Sequence, residues 1–171
     1  MSAAKSHRSV HLLQVSAGAV QGARWTMEDA YSVENGGRFV AVFDGHGGSE
    51  VSSMLRDRLY DLYRGGLCAK HWEALDDLDK TKRKVPSIAS HVAALRGGFE
   101  KVEEDVLKHD DLVDQGSTAV AVVLHVGEDG RRTLLSANIG DSRAVLSRRG
   151  QAVDLTRDHK PNDEREKARI R

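Results

Sequence analysis

Two short acidic segments hold most of the chemistry this chain can offer. The first is Arg24-Trp25-Thr26-Met27-Glu28-Asp29. Adjacent carboxylates beside a guanidinium can bring a divalent cation and an anion together. Glu28 and Asp29 are hard oxygen ligands of the kind magnesium and manganese take, and Arg24 can grip a phosphate through two parallel hydrogen bonds. Taken alone, a solvated turn with a local ion pair explains the same residues. The second segment is Phe43-Asp44-Gly45-His46-Gly47-Gly48. An apolar strand ending in Asp44 sets a carboxylate at a sheet edge. The glycines permit close backbone approach and unusual φ, and a carbonyl such as that of Gly45 can ligate a hard cation. His46 can give or take a proton near neutral pH. Here too a Gly-rich strand-to-helix turn is the plain alternative.

Three further segments are weaker signals. Asn138-Ile139-Gly140-Asp141-Ser142-Arg143 reads as a tight turn between strands, with Asp141 chosen for turn chemistry. Asp158-His159-Lys160-Pro161 reads as the loop leading into the last helix. Gly116-Ser117-Thr118 opens a strand, and Ser117 has no Gly-x-Ser-x-Gly elbow to make it a nucleophile.

The elements around these segments follow from periodicity. Val10–Val20 and Tyr31–Glu34 read as strands, with a turn at Asn35-Gly36-Gly37. Arg38–Phe43 is a continuous apolar run after one charge and predicts a strand buried on both faces. Ser49–Tyr63 places Val51, Leu55, Leu59 and Leu62 on one helical stripe. A second helix carries Ile88, Val92, Leu95, Phe99, Val102 and Val106, with Gly97-Gly98 as its weak point. The charged stretch His71–Lys84 between them reads as surface loop or short helix. Thr118–Val126, Thr133–Ile139, Ser142–Ser147 and Gln151–Leu155 then predict an antiparallel meander. A last helix starts at Asn162 or Asp163, with Asp163 and Glu166 as a capping pattern and Asp163–Lys167 as an ion pair. Strands, a helical pair and strands again predict an α+β fold.

The bulk composition narrows the functional classes. The 171 residues carry 26 basic and 26 acidic side chains, a balance that argues against a polyanion-binding role. The 39% hydrophobic and 30% charged content is that of a globular chain, and no apolar run reaches the length of a membrane span. Cys68 is the single cysteine, so no intrachain disulfide forms; it reads as a packing residue or inert thiol. Residues 1–10 read as a flexible leader, leaving 11–171 as one domain portion.

The order of the motifs says more than any one of them. Arg-x-x-Met-Glu-Asp, Val-Phe-Asp-Gly-His-Gly-Gly, Gly-Ser-Thr-Ala, Asn-Ile-Gly-Asp-Ser-Arg and Leu-Thr-x-Asp-His-Lys-Pro together resemble the PPM (type 2C) family of metal-dependent protein serine/threonine phosphatases. The resemblance runs from about Gly18 to the end. It implies a β-sandwich flanked by antiparallel helices, with a dinuclear magnesium or manganese centre at one end. By this likeness Asp44 would bridge both metals and the Gly45 carbonyl would be a ligand. Glu28 and Asp29 would stand in the metal shell, one of them through water. Arg24 would hold the substrate phosphate, His46 would protonate the leaving oxygen, and Asp141 would belong to a weaker third metal. The expected partners are phosphoprotein substrates, with no nucleic acid and no membrane, for a monomer in the cytoplasm or nucleus.

The same likeness marks a departure. Complete catalytic domains of the family carry two further metal-binding aspartates in later Asp-Gly-x-x-Asp and Asp-Asn motifs, and the 171 residues hold neither in that order. The expectation is a fold truncated before its C-terminal strands and helices, weak or inactive by itself, and aggregation-prone through bare strand edges and apolar faces. The alternative to an enzyme is a non-catalytic, phosphatase-like binding or regulatory module.

Overall fold

The computed structural model describes residues 13–69 and 85–170. Val10–Leu12 and His71–Lys84 lie outside the described residues. Four strands form the central antiparallel sheet, in the order β1-β2-β5-β6. They are β1 (Ala30–Glu34), β2 (Phe39–Phe43), β5 (Ala119–Val126) and β6 (Arg132–Ile139). Two-residue strands β3 (Gly45–His46) and β4 (Gly116–Ser117) pair beside it, and β7 (Val145–Arg148) with β8 (Gln151–Asp154) forms a separate hairpin. The helices are α1 (Glu50–Ala69), α2 (Ile88–Val106) and α3 (Glu164–Ile170). This is the expected α+β arrangement; of the β-sandwich that the resemblance implies, the described residues hold one four-stranded sheet, with the antiparallel pair α1 and α2 beside it.

One face of the sheet makes the core. Phe39, Ala41 and Phe43 of β2 and Ala119, Ala121 and Val123 of β5 point to that face and are buried, with Leu55, Leu59 and Tyr63 of α1 packed on them. Full burial of a side chain such as Phe43 contributes roughly 1.5–3 kcal/mol. Small residues let the two long helices approach. A Cβ on Gly98 would sit 3.3 Å from Leu59 Cδ1, and one on Gly66 would sit 3.2 Å from Ala94 Cβ. Gly98 is therefore a contact point, its helix-propensity cost offset by close packing, whereas Gly97 has open space around it and remains the weak point.

Several expected elements differ. Residues 13–20 form no strand, although they lie along the outer face of the sheet near Val33, Val40 and Val122. Ser16-Ala17-Gly18-Ala19 offers small side chains with little to lock cross-strand pairing. β2 is buried on one face only, because Val42 remains 49% exposed. Its outward residues are valines, so alternation is hidden in an all-apolar run. The buried stripe of α2 is His91, Ala94, Leu95, Gly98 and Val102, whereas Ile88 and Val92 are exposed. Small residues face α1 there, rotating the stripe away from the larger side chains. In α1 the buried residue after Leu59 is Tyr63, with Leu62 at the margin. The meander divides after β6, and β7 pairs only with β8. The Asp163–Lys167 pair is not formed. Asp163 caps α3 through Oδ1, which accepts from the Arg165 and Glu166 amides at 2.9 and 3.3 Å, and ion-pairs with Arg157. Lys167 pairs with Glu164 instead. Glu166 closes no capping box, since its carboxylate takes Arg169.

Candidate active site

The end of β2 and the loop before β1 meet over the start of α1. Arg24, Glu28, Asp29, Asp44 and Gly45 line one cleft of about 210 Å³, together with Gln21, Thr26 and Met27. Five of the seven residues singled out in the sequence thus share one space. Backbone packing sets their positions. The buried Ser52 hydroxyl of α1 reaches the Glu28 carbonyl at 2.5 Å, with the Ser49 carbonyl as its other acceptor at 3.0 Å. A Cβ on Gly45 would lie 2.3 Å from the Glu28 carbonyl oxygen and 2.9 Å from Ser52 Oγ, so only glycine lets these segments touch. Thr26 donates to Glu28 Oε1 at 3.0 Å, and Gln21 Nε2 donates to the Arg24 carbonyl at 2.8 Å.

The electrostatics of the cleft centre on Asp44. Its carboxyl is raised above the ordinary aspartate value. Desolvation is the largest cause, although much of the side chain meets solvent, followed by the charges of Asp29 and Asp141; Arg24 acts the other way. Crowded hard-oxygen donors whose mutual repulsion a divalent cation would relieve fit magnesium or manganese. The fit is to part of a shell: among the described residues no three His, Cys, Asp or Glu side chains converge on one ion.

Asp141, on the β6–β7 loop, does not line the cleft, though its charge acts on Asp44. Thr118 ties the two sides together: its amide donates to the Asp44 carbonyl at 2.8 Å, its hydroxyl accepts from the Asp44 amide at 3.4 Å, and Thr118 Oγ1 lies 2.5 Å from Ser142 Oγ. Gly140, at φ +83°, packs against Thr118, where a Cβ would lie 2.8 Å from Cγ2. The loop is clasped from outside. Asp158 accepts from both Nε and Nη2 of Arg143, at 2.6 and 2.9 Å, and its carboxyl is pulled down to about 2, chiefly by that hydrogen bond. Lys160 Nζ stands 3.3 Å from Asp158 and 3.6 Å from Asp141. The 158–161 segment is therefore more than the lead-in to α3.

His46 is not brought into the cleft. It is exposed on the other flank of Gly45, with its ring against Gly116, where a Cβ would lie 2.6 Å from Nε2. It borders a separate groove over Val51, Leu55 and Val102. The sequence reading passed over Ser52; it placed Thr118, Arg143 and Asp158 in its segments, but only as a strand start, a turn and a helix-entry loop, and nothing in the sequence joined Arg143 to Asp158, fifteen residues apart.

Comparison with known proteins gives a consistent set of likenesses. The family model described as "Protein phosphatase 2C" matches residues 13–171. A "Probable protein phosphatase 2C member 13, mitochondrial" from Oryza sativa subsp. japonica is 38% identical over 158 residues, covering 88% of this chain and 37% of that protein. A "Probable protein phosphatase 2C 6" from Paramecium tetraurelia is 35% identical, covering 93% of this chain and 52% of that protein. The chain thus spans about half or less of the length of these relatives. Among solved structures, a C. elegans sex determining protein matches 88% of this chain and 36% of its own at TM-score 0.59 and 27% identity. A serine-threonine phosphatase 2C from Toxoplasma gondii matches the fold at TM-score 0.54 and 21% identity, over 86% of this chain and 50% of its own.

Proposed function

The chain belongs to the protein phosphatase 2C family, and from that premise we propose that its Arg24–Asp44 cleft is the phosphate- and metal-binding part of a protein serine/threonine phosphatase site. The observation that carries this reading is the single cleft that holds Arg24, Glu28, Asp29, Asp44 and Gly45 together. Asp44, Asp29, Glu28 and the Gly45 carbonyl would hold two magnesium or manganese ions, with Asp141 offering a further carboxylate. Such ions, when bound, acidify the attacking water and clamp the phosphoryl group.

The chain's own residues do the rest. Arg24 binds the phosphate oxygens of a phosphoserine or phosphothreonine through its guanidinium fork. Asp44 orients the hard-oxygen face opposite Arg24, so cation and anion sites are adjacent. His46, the proton donor that the family likeness implies, stands on the other flank of Gly45, outside the cleft, so this reading gives it no step and the departing seryl or threonyl oxygen takes its proton from water. Ser52, Gly45 and Thr118 hold the backbone on which those groups depend. The substrates in this reading are phosphoproteins, the protein acts as a monomer, and its compartment is cytoplasmic or nuclear.

The test is release of phosphate from a phosphothreonine peptide by the 171-residue chain, with manganese or magnesium added. Turnover is expected to be slow, since no three-carboxylate group converges among the described residues. It should depend on the cation and vanish in Asp44→Ala and Arg24→Ala. Equal rates in the wild type and Asp44→Ala would contradict the reading.

A further inference from the structure

Trp25 is 99% exposed, beside an arginine that lines the phosphate cleft. A tryptophan usually buries roughly 150–250 Å² in a core or an interface, and this one contributes nothing to the packing of the described residues. The loop on either side of it is held by its neighbours. Gln21 Nε2 holds the Arg24 carbonyl on one side, Thr26 Oγ1 holds Glu28 on the other, and Gly22 turns the chain at φ +66°. Arg24, Thr26 and Met27 line the cleft while Trp25 does not. The loop thus presents a guanidinium into the cleft and an indole to solvent next to it.

The geometry points to Trp25 as a specificity-determining residue, an aromatic platform for the apolar side chain that flanks the phosphorylated residue of a polypeptide substrate. The inference rests on the phosphatase reading and deepens it. A peptide whose phosphate sits on Arg24 carries its neighbouring side chains within one or two residues, and an extended chain advances roughly 3.3–3.6 Å per residue. The indole is therefore in reach of the adjacent positions. An indole offers a flat apolar face with few rotatable bonds, so ordering it on binding costs little, and Trp is among the residues that most often dominate recognition energies.

The test uses the chain's tryptophan fluorescence. There are two tryptophans, Trp25 and Trp72, so the measurement is made in a Trp72→Phe background with manganese present. The probes are a phosphothreonine heptapeptide with leucines on both sides of the phosphothreonine, its alanine-flanked counterpart, and the unphosphorylated form of the leucine peptide. Binding of the leucine peptide should shift and saturate the Trp25 emission, with an affinity about tenfold above the alanine peptide, the worth of one partly buried apolar side chain. In the chain that keeps Trp72, Trp25→Ala should collapse that leucine-to-alanine ratio towards one, read by anisotropy of labelled peptides, and Trp25→Phe should restore most of it. An unchanged ratio in Trp25→Ala overturns the proposal. So does a large fall in melting temperature, or loss of a concentration-dependent dimer, in that variant, because the indole would then pack within this chain or against a second copy. If phosphorylated and unphosphorylated peptides bind alike, or neither binds, the phosphatase reading falls and takes the proposal with it. Phosphate-dependent binding that Arg24→Ala weakens and Trp25→Ala does not leaves the reading standing and removes only the platform.

Discussion

Replacing Gly45 with alanine adds one methyl group where the Glu28 carbonyl now sits. The new Cβ would stand 2.3 Å from that oxygen and 2.9 Å from Ser52 Oγ. Carbon–oxygen packing needs about 3.3 Å, so the Glu28–Asp29 peptide must withdraw by roughly 1 Å. Two consequences separate. The Ser52–Glu28 hydrogen bond is lost, which costs about 1 kcal/mol of stability and leaves a hydroxyl that can turn to the Ser49 carbonyl. The carboxylates of Glu28 and Asp29 move with their backbone. Displacing the supports of a metal site lowers metal affinity by roughly 10- to 100-fold. The assay pairs a melting curve with a manganese titration followed by electron paramagnetic resonance. The expected outcome is a small fall in melting temperature and a large loss of manganese binding. Wild-type manganese affinity in Gly45→Ala would refute the reasoning, because the closest backbone contact in the cleft would then have no bearing on its ligands.

Three other outcomes follow from the same structure. The His91 imidazole lies between Tyr63 Oη at 2.6 Å and His125 Nδ1 at 3.1 Å, and its pKa is lowered from 6.5, first by burial and then by His125. The unfolded chain therefore binds a proton that the folded chain resists. This contribution is complete above about pH 6.5 and is lost as pH falls towards the depressed folded value; urea midpoints from about pH 7.5 to 5.5 should fall less steeply in His91→Gln than in wild type. Gly98→Leu forces branched bulk against Leu59 and Tyr63, where an added Cβ would by itself sit 3.3 Å from Leu59 Cδ1, and should cost about 1–3 kcal/mol by guanidinium titration; an unchanged midpoint would show that α1 and α2 can part freely. Asp158→Asn removes the charge that holds Arg143 and Lys160, so the His159 amide, now bonded to the Gly140 carbonyl at 2.9 Å, should exchange its hydrogen faster while amides of β2 do not.

The parts of the fold that were legible in the sequence are those with one strong period. The apolar spacing of Val51, Leu55 and Leu59 marked α1, and the run from Ala119 to Val126 marked β5. Arg24, Glu28, Asp29, Asp44 and Gly45 were recognisable as a set through their order, which reflects a shared fold rather than a spacing along one element. Less was legible where residues act through distant contacts. His91 is not in the apolar stripe read for α2, yet it is buried because Tyr63 and His125 satisfy both ring nitrogens. Val42 looked like core because valine on an outward face reads the same as valine on an inward one. Ser52 carried no signal: a serine in a helix points to nothing until the segment it holds, twenty-four residues earlier, is placed against it. The pose of His46 also lay beyond the sequence, since it depends on the pairing of Gly45 with Ser117 and of His46 with Gly116.

The central claim is that Asp44 anchors a divalent cation in the cleft it shares with Arg24. The most direct measurement is manganese binding by the 171-residue chain, followed through loss of the free-ion resonance, in the wild type and in Asp44→Ala. The account predicts saturable binding that Asp44→Ala abolishes and that Arg24→Ala preserves. Equal binding by the wild type and Asp44→Ala, or none by either, would contradict it.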